Sequence, residues 1–171
     1  MSIIVRSLAA ALLALCAAAL TPGTARAAQC TGTGVGGAGI TLSVTGLTFG
    51  AYDPTNVTAA ASTTSVTVQC NSTARTLPPI SIAINAGDSG SFTARAMDGT
   101  GTAAGAVLTY QLYDNSTHST IWGDGTGGTA TVSGGNGTSY TQTFTGYGQV
   151  PVSQYTTPGN YADTLTVTMT Y

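Results

Sequence analysis

The side chains with which this chain could do chemistry are few: one histidine, six aspartates and three cysteines. His118 lies in Asn115-Ser116-Thr117-His118, a run of turn-forming residues. A Ser-His-Asp triad needs its histidine packed between a buried acid and a serine, and no nucleophile-elbow pattern accompanies this one. The acids Asp53, Asp88, Asp98, Asp114, Asp124 and Asp163 stand singly. Two of them would serve a glycosidase if folding brought them within about 5–10 Å. Most, however, are flanked by Gly, Pro or Asn, the setting of acids that bond their own backbone in turns. Trp122-Gly123-Asp124-Gly125-Thr126 lacks the further acids and the distal glutamate of an EF-hand loop. Trp122, with tyrosines such as Tyr113, could form an adhesive aromatic platform for a surface or a sugar; a single tryptophan in a small β-domain equally serves as core. The residues therefore point away from an enzyme, with no catalytic residue, metal site, cofactor or small-molecule substrate.

The cysteines divide by position. Arg6, the apolar run Leu8–Leu20 and the triplet Ala25-Arg26-Ala27 read as a secretory signal over residues 1–27, with cleavage before Ala28. The apolar run is short of the about 20 residues that a membrane span needs. Cys16 as a lipidated N-terminus is disfavoured by Leu15, where a small residue is required. Cleavage leaves Cys30 and Cys70, an even pair in an exported chain, which reads as one disulfide. Closing that loop would stabilise the fold by roughly 4 kcal/mol in the chain-entropy model.

What elements would position these residues? The chain has 171 residues, of which 6% are charged, with 33 threonines and 23 glycines. That mixture is poor in helix formers and rich in strand and turn residues. A pI near 4.7 and two arginines after cleavage assemble no basic patch for nucleic acid. Apolar residues recur at every second position in Ile40–Val44, Val66–Cys70, Ile80–Ile84, Leu108–Leu112 and Leu165–Tyr171. Weaker strands are expected at Phe92–Met97, Ala130–Ser133 and Ser139–Thr145. About seven or eight strands, each with one apolar and one hydroxyl-rich face, predict an all-β, immunoglobulin-like sandwich. Residues 28–39 read as a flexible Gly-rich segment and 40–171 as one domain.

The last run, Leu165, Val167, Met169 and Tyr171, admits two readings. It is an ordinary closing strand, or a docking strand whose edge and carboxylate another protein captures.

Several segments together resemble the spore coat protein U domain family. They are Leu47-Thr48-Phe49-Gly50-Ala51-Tyr52-Asp53-Pro54, Val66–Cys70, Ala94-Arg95-Ala96-Met97, Leu108–Tyr113, Ile121–Thr126, Tyr147–Pro151, Gly159–Asp163 and Leu165–Tyr171. Each motif is weak alone, but their order from about residue 40 onward is specific. The resemblance implies a subunit of Csu-type archaic chaperone–usher pili: an exported sandwich one strand short, supporting surface attachment and biofilm formation. Its implied partners are a periplasmic chaperone, an outer-membrane usher and neighbouring subunits. The implied route runs through the periplasm to the cell surface. An open sheet edge of this kind must be covered or it aggregates. Head-to-tail strand exchange that does not close on itself builds a filament.

One departure stands out. Family members carry an apolar donor segment before the first cysteine, whereas here only Ala28 and Gln29 precede Cys30 after cleavage. The donor is then short, drawn from Gly-rich Thr31–Gly39, or absent; Val35, Ala38 and Ile40 are weak plugs, which favours a subunit that accepts a donor strand without giving one, at a fibre tip or as a minor component. A tip adhesin or a self-complemented secreted domain are the other forms this family reading takes.

Overall fold

The computed structural model describes residues 30, 39–71, 75–137 and 140–171. The expected signal segment and nearly all of residues 28–39 lie outside the described residues.

Alternation of β-branched and polar residues produces strands wherever it was expected, and some beyond. The strands are β1 (Ile40–Thr45), β2 (Ala60–Cys70), β3 (Ile80–Ile84), β4 (Ala96–Thr100), β5 (Val107–Thr109) and β6 (Gln111–Tyr113). They continue with β7 (Val132–Gly134), β8 (Thr141–Val150), β9 (Asn160–Ala162) and β10 (Val167–Thr170). One 3-10 turn, Gly101–Ala103, is the only helical piece among the described residues. None of the described residues forms a helix long and apolar enough to cross a membrane.

Three antiparallel sheets result: β1-β2-β8-β6, β10-β3-β7 and the small β5-β4-β9. The first two face each other across one core. Val66 and Val68 of β2, Leu112 of β6 and Phe144 and Val150 of β8 meet Ile80, Ile82, Ile84 and Val167 of β3 and β10. Met97 and Leu108 of the third sheet join the same cluster. The long β2–β8 ladder runs from Ala60 opposite Val150 to Gln69 opposite Thr141. The period of two puts Thr64, Val66, Val68 and Cys70 inward. Gly146 allows β8 to lie close to the core, since a Cβ there would sit 2.7 Å from Thr64 and 3.1 Å from Trp122.

The sequence expectations need four adjustments. Leu108–Leu112 is not one strand: it crosses from the third sheet (β5) to the first (β6), with Tyr110 between them. Phe92–Met97 begins its strand only at Ala96, because Arg95 turns into the interior. The strand expected to end at Thr145 continues to Val150, and β2 starts six residues before Val66, at Ala60.

Candidate functional site: the open sheet edges

An immunoglobulin constant-type sandwich places its first, second, fifth and fourth strands in one sheet and its third, sixth and seventh in the other. Take the two main sheets without the separate third sheet β5-β4-β9 and without β7 on the far edge of β3, and the six strands that remain follow that order. The sheet β1-β2-β8-β6 is first, second, fifth, fourth; β3 and β10 are third and sixth. The seventh-strand position is the outer edge of β10. Among the described residues, β10 pairs only with β3, in the register Val167–Ile84 through Thr170–Ser81.

The side chains along this edge grade from buried to open. Val167 is buried, Met169 only half-buried, and Tyr171 is 42% exposed. The other sheet has a matching margin in β1, which among the described residues pairs only with β2. There Ile40 is buried, while Leu42 and Val44 pack against the core yet stay half-open. Inward apolar side chains on two unpaired edges are what an added strand could cover.

Two of the four expected docking-strand residues are enclosed. Leu165 precedes β10 and is enclosed in the core, as Val167 is. The chain is fixed just before the ladder: Asn85 accepts from the Thr166 amide through Oδ1 at 2.8 Å and donates its own amide to the Thr166 carbonyl at 3.0 Å. Met169 packs half-open against the core, and Tyr171 is exposed. Ile40, considered as a donor plug, instead sits opposite Cys70 within β1.

Cys30 and Cys70 form a disulfide with Cα atoms 5.9 Å apart. It ties the segment before β1 to the last residue of β2, and the Cys30 amide donates to the Thr76 carbonyl at 2.9 Å.

Trp122, expected as either platform or core, is 0% exposed, which corrects the platform reading. Its Nε1 donates to the Ile82 carbonyl at 3.1 Å, so the indole fills the space between the sheets. Tyr113 is partly exposed and stacks edge-on against His118, centroids 5.0 Å apart. His118 also meets the Tyr147 ring at 6.4 Å. No hydrogen bond joins His118 to an acid among the described residues.

The aspartates go to structural work. Asp53 and Asp124 close turns, each accepting from the amide and hydroxyl of the threonine two residues on. Those hydroxyl bonds, then the amide bonds, hold both carboxyls below their ordinary range. No cluster of three metal-ligating side chains occurs among the described residues. Asp163, the one aspartate without a Gly, Pro or Asn neighbour, is buried.

Asp163 belongs to a polar network that the alternation pattern did not reveal. The Tyr110 hydroxyl donates to Asp163 Oδ2 at 2.5 Å, and Oδ1 accepts from the amides of Asp88 and Thr164 at 2.8 and 2.7 Å. Gly87 has a φ of +77°, and a Cβ there would fall 2.2 Å from that carboxylate. Arg95 is wholly buried and donates to Gln111 Oε1 (2.9 Å), the Asn85 carbonyl (2.8 Å) and the Trp122 carbonyl (2.8 Å). Its guanidinium lies 5.4 Å from the Phe92 ring centroid. Burial lowers the Arg95 pKa, against the pull of Tyr110 and Asp163. The available signal was context: Arg95 stands between Ala94 and Ala96, an apolar setting unusual for a solvated cation.

No curated protein matches the chain. Among solved structures it is similar to the CsuC-CsuE chaperone-tip adhesion subunit pre-assembly complex from archaic chaperone-usher Csu pili of Acinetobacter baumannii. The identity is 19% and the TM-score 0.49, with 77% of this chain and 40% of that chain covered. This chain thus spans well under half of the chain it matches. The sequence model of the Spore Coat Protein U domain matches residues 15–168, and by that match the chain belongs to the Spore Coat Protein U domain family.

Proposed function

We propose that this chain is an exported structural subunit of an archaic chaperone–usher pilus, in which a strand from another polypeptide completes the sandwich. The observation that carries the reading is the seventh-strand position beside β10, which no described residue occupies and which half-open Met169 and exposed Tyr171 border. An exposed edge of that length is a template for aggregation unless it is covered. Strand addition would supply ladder hydrogen bonds to β10 and apolar side chains to the half-open positions Leu42, Val44 and Met169. A periplasmic chaperone would hold the edge first, an outer-membrane usher would export the subunit, and a neighbouring subunit would then replace the chaperone. Attachment and biofilm formation follow from such a fibre.

The test is to purify the exported chain alone and with the cognate chaperone. We expect the chain alone to aggregate or melt early, and the complex to be soluble with a higher Tm. A chain that stays monomeric and folds cooperatively on its own, unaffected by chaperone, would overturn the reading.

A second reading, a subunit that itself contacts a surface, is favoured by one pole of the molecule. Val57 is 94% exposed and Tyr155 77%, and Val107 and Val152 are exposed as well. Tyr52 and Gln154 tie these loops together, through Tyr52 to the Pro151 carbonyl (2.8 Å) and Gln154 to the Thr109 amide (2.8 Å). The loops border a cavity of about 530 Å³ lined by Phe49, Tyr52, Met97, Leu108 and Tyr161. Replacing Val57 and Tyr155 by Ser would leave folding unchanged and, on this reading, reduce adhesion to polystyrene; unchanged adhesion would dismiss it.

A further inference from the structure

We propose that the outward face of the sheet β1-β2-β8-β6 binds an uncharged polysaccharide. The pairing registers lay out its side chains in rows. Thr41, Gln69 and Thr141 form one row, Ser43, Thr67 and Thr143 the next, and Thr45, Ser65 and Thr145 the third. The fourth row is Thr63, Tyr147 and Tyr113. Strands lie about 4.8 Å apart and outward residues of one strand about 6.8 Å apart, so the face is a lattice of hydroxyl and amide groups.

Three features bear on the partner. The first is charge. None of the six aspartates and four arginines occupies an outward position in these rows, so a charged polymer would find no counter-ion on the face. Only 6% of the chain is charged, and this face shares that neutrality throughout. The second is the unspent polar capacity. Thr67 and Thr143 bond each other at 2.9 Å and Thr45 bonds Ser65 at 3.0 Å, which aligns those hydroxyls while each keeps a further lone pair or proton. The side chains of Ser43, Thr63 and Thr145 make no hydrogen bond among the described residues.

The third is the aromatic end of the lattice. Tyr113 and Tyr147 sit directly opposite each other, and His118 lies edge-on to both rings. Their loop is held in shape by Asn115, whose Oδ1 accepts from Thr117 Oγ1 at 2.8 Å and the Ser119 amide at 3.1 Å. Neither tyrosine hydroxyl is engaged among the described residues. Rigid rings that offer an apolar side and a polar tip, next to rows of hydroxyls, match a pyranose, which has an apolar C–H face and a rim of hydroxyls. The face lies on the far side of the sheet from the core, so strand addition at β10 leaves it open, and the proposal does not rest on the assembly reading.

The test is native affinity electrophoresis of the full exported chain in gels containing dextran, a mixed-linkage β-glucan or galactomannan, with alginate as the charged comparator. We expect retardation by at least one neutral polymer and none by alginate. Tyr113→Ala with Tyr147→Ala should weaken binding on the order of tenfold or more, the loss of a central aromatic anchor. Thr145→Lys, at an exposed position with no fold role, should also weaken it and keeps the test decisive if the tyrosine variant fails to fold. Retardation by no neutral polymer, or undiminished binding by both variants, would overturn the proposal. Concentration-dependent dimerisation abolished by these same substitutions, without polysaccharide binding, would assign the face to a second copy of the chain and likewise overturn it.

Discussion

The Tyr110 hydroxyl and the Asp163 carboxylate lie 2.5 Å apart inside the protein, 53 residues apart in sequence. Burial first, and then the bond to Asp163, push the ionisation of Tyr110 far above its usual range. Tyr110 therefore stays neutral in the folded chain at pH values where an unfolded tyrosine, with a pKa of about 10, begins to ionise. Its contribution to stability is fully present below about pH 10 and is lost as pH rises beyond that. We expect urea-derived stability to fall more steeply between pH 9.5 and 11 in the wild type than in Tyr110→Phe. At neutral pH the same substitution leaves Asp163 Oδ2 unpaired and should cost about 1–3 kcal/mol.

Arg95 serves two carbonyls and one amide oxygen from three separate segments. Arg95→Met should cost about 3 kcal/mol in chemical denaturation, because those acceptors lose a charged donor. Arg95→Lys retains the charge but not the planar fork, so we expect it to recover less than half of that loss.

Trp122 separates core from platform directly. Trp122→Ala should destabilise by about 3–5 kcal/mol, whereas Trp122→Phe, which loses chiefly the bond to Ile82, should cost roughly 1–2 kcal/mol. Thermal melts with an adhesion assay on the folded Phe variant would check both; adhesion should be unchanged.

The disulfide closes a 40-residue separation. Replacing Cys30 and Cys70 together by Ala should lower stability by about 2–4 kcal/mol, measured against the oxidised wild type without reductant.

At the open edge, Met169→Asp tests partner capture apart from folding. Met169 is only half-buried, so the isolated chain should lose no more than about 1 kcal/mol. Chaperone capture, read by co-purification, should fall sharply, since the charge would be enclosed under an added strand.

Local chemistry was legible in the sequence, and distant partnership was not. Ile80-Ile82-Ile84 and Ile40-Leu42-Val44 declared their strands because a period of two is written into neighbouring residues. Asp53 and Asp124 read correctly as turn acids because their partners are two residues away. Asp163, between Ala162 and Thr164, carried no such local signal, and its partners Tyr110 and Asp88 are brought in by other elements. The run Leu108–Leu112 kept its alternation while changing sheets, since period alone does not say which neighbour a strand will pair with. At the candidate site, the apolar positions of β10 were visible, but the grading from buried Leu165 to open Tyr171 depends on which edge lacks a neighbour.

The covalent link at Cys30 also has a mechanical side. Tension entering through the residues before Cys30 would pass across the sulfur bridge to the end of β2, bypassing β1. β2 is flanked on both sides, by β1 and β8, so the load would spread along two ladders instead of unzipping an outer strand one bond at a time. Reduced protein, pulled from the same point, would peel β1 first and yield at lower force.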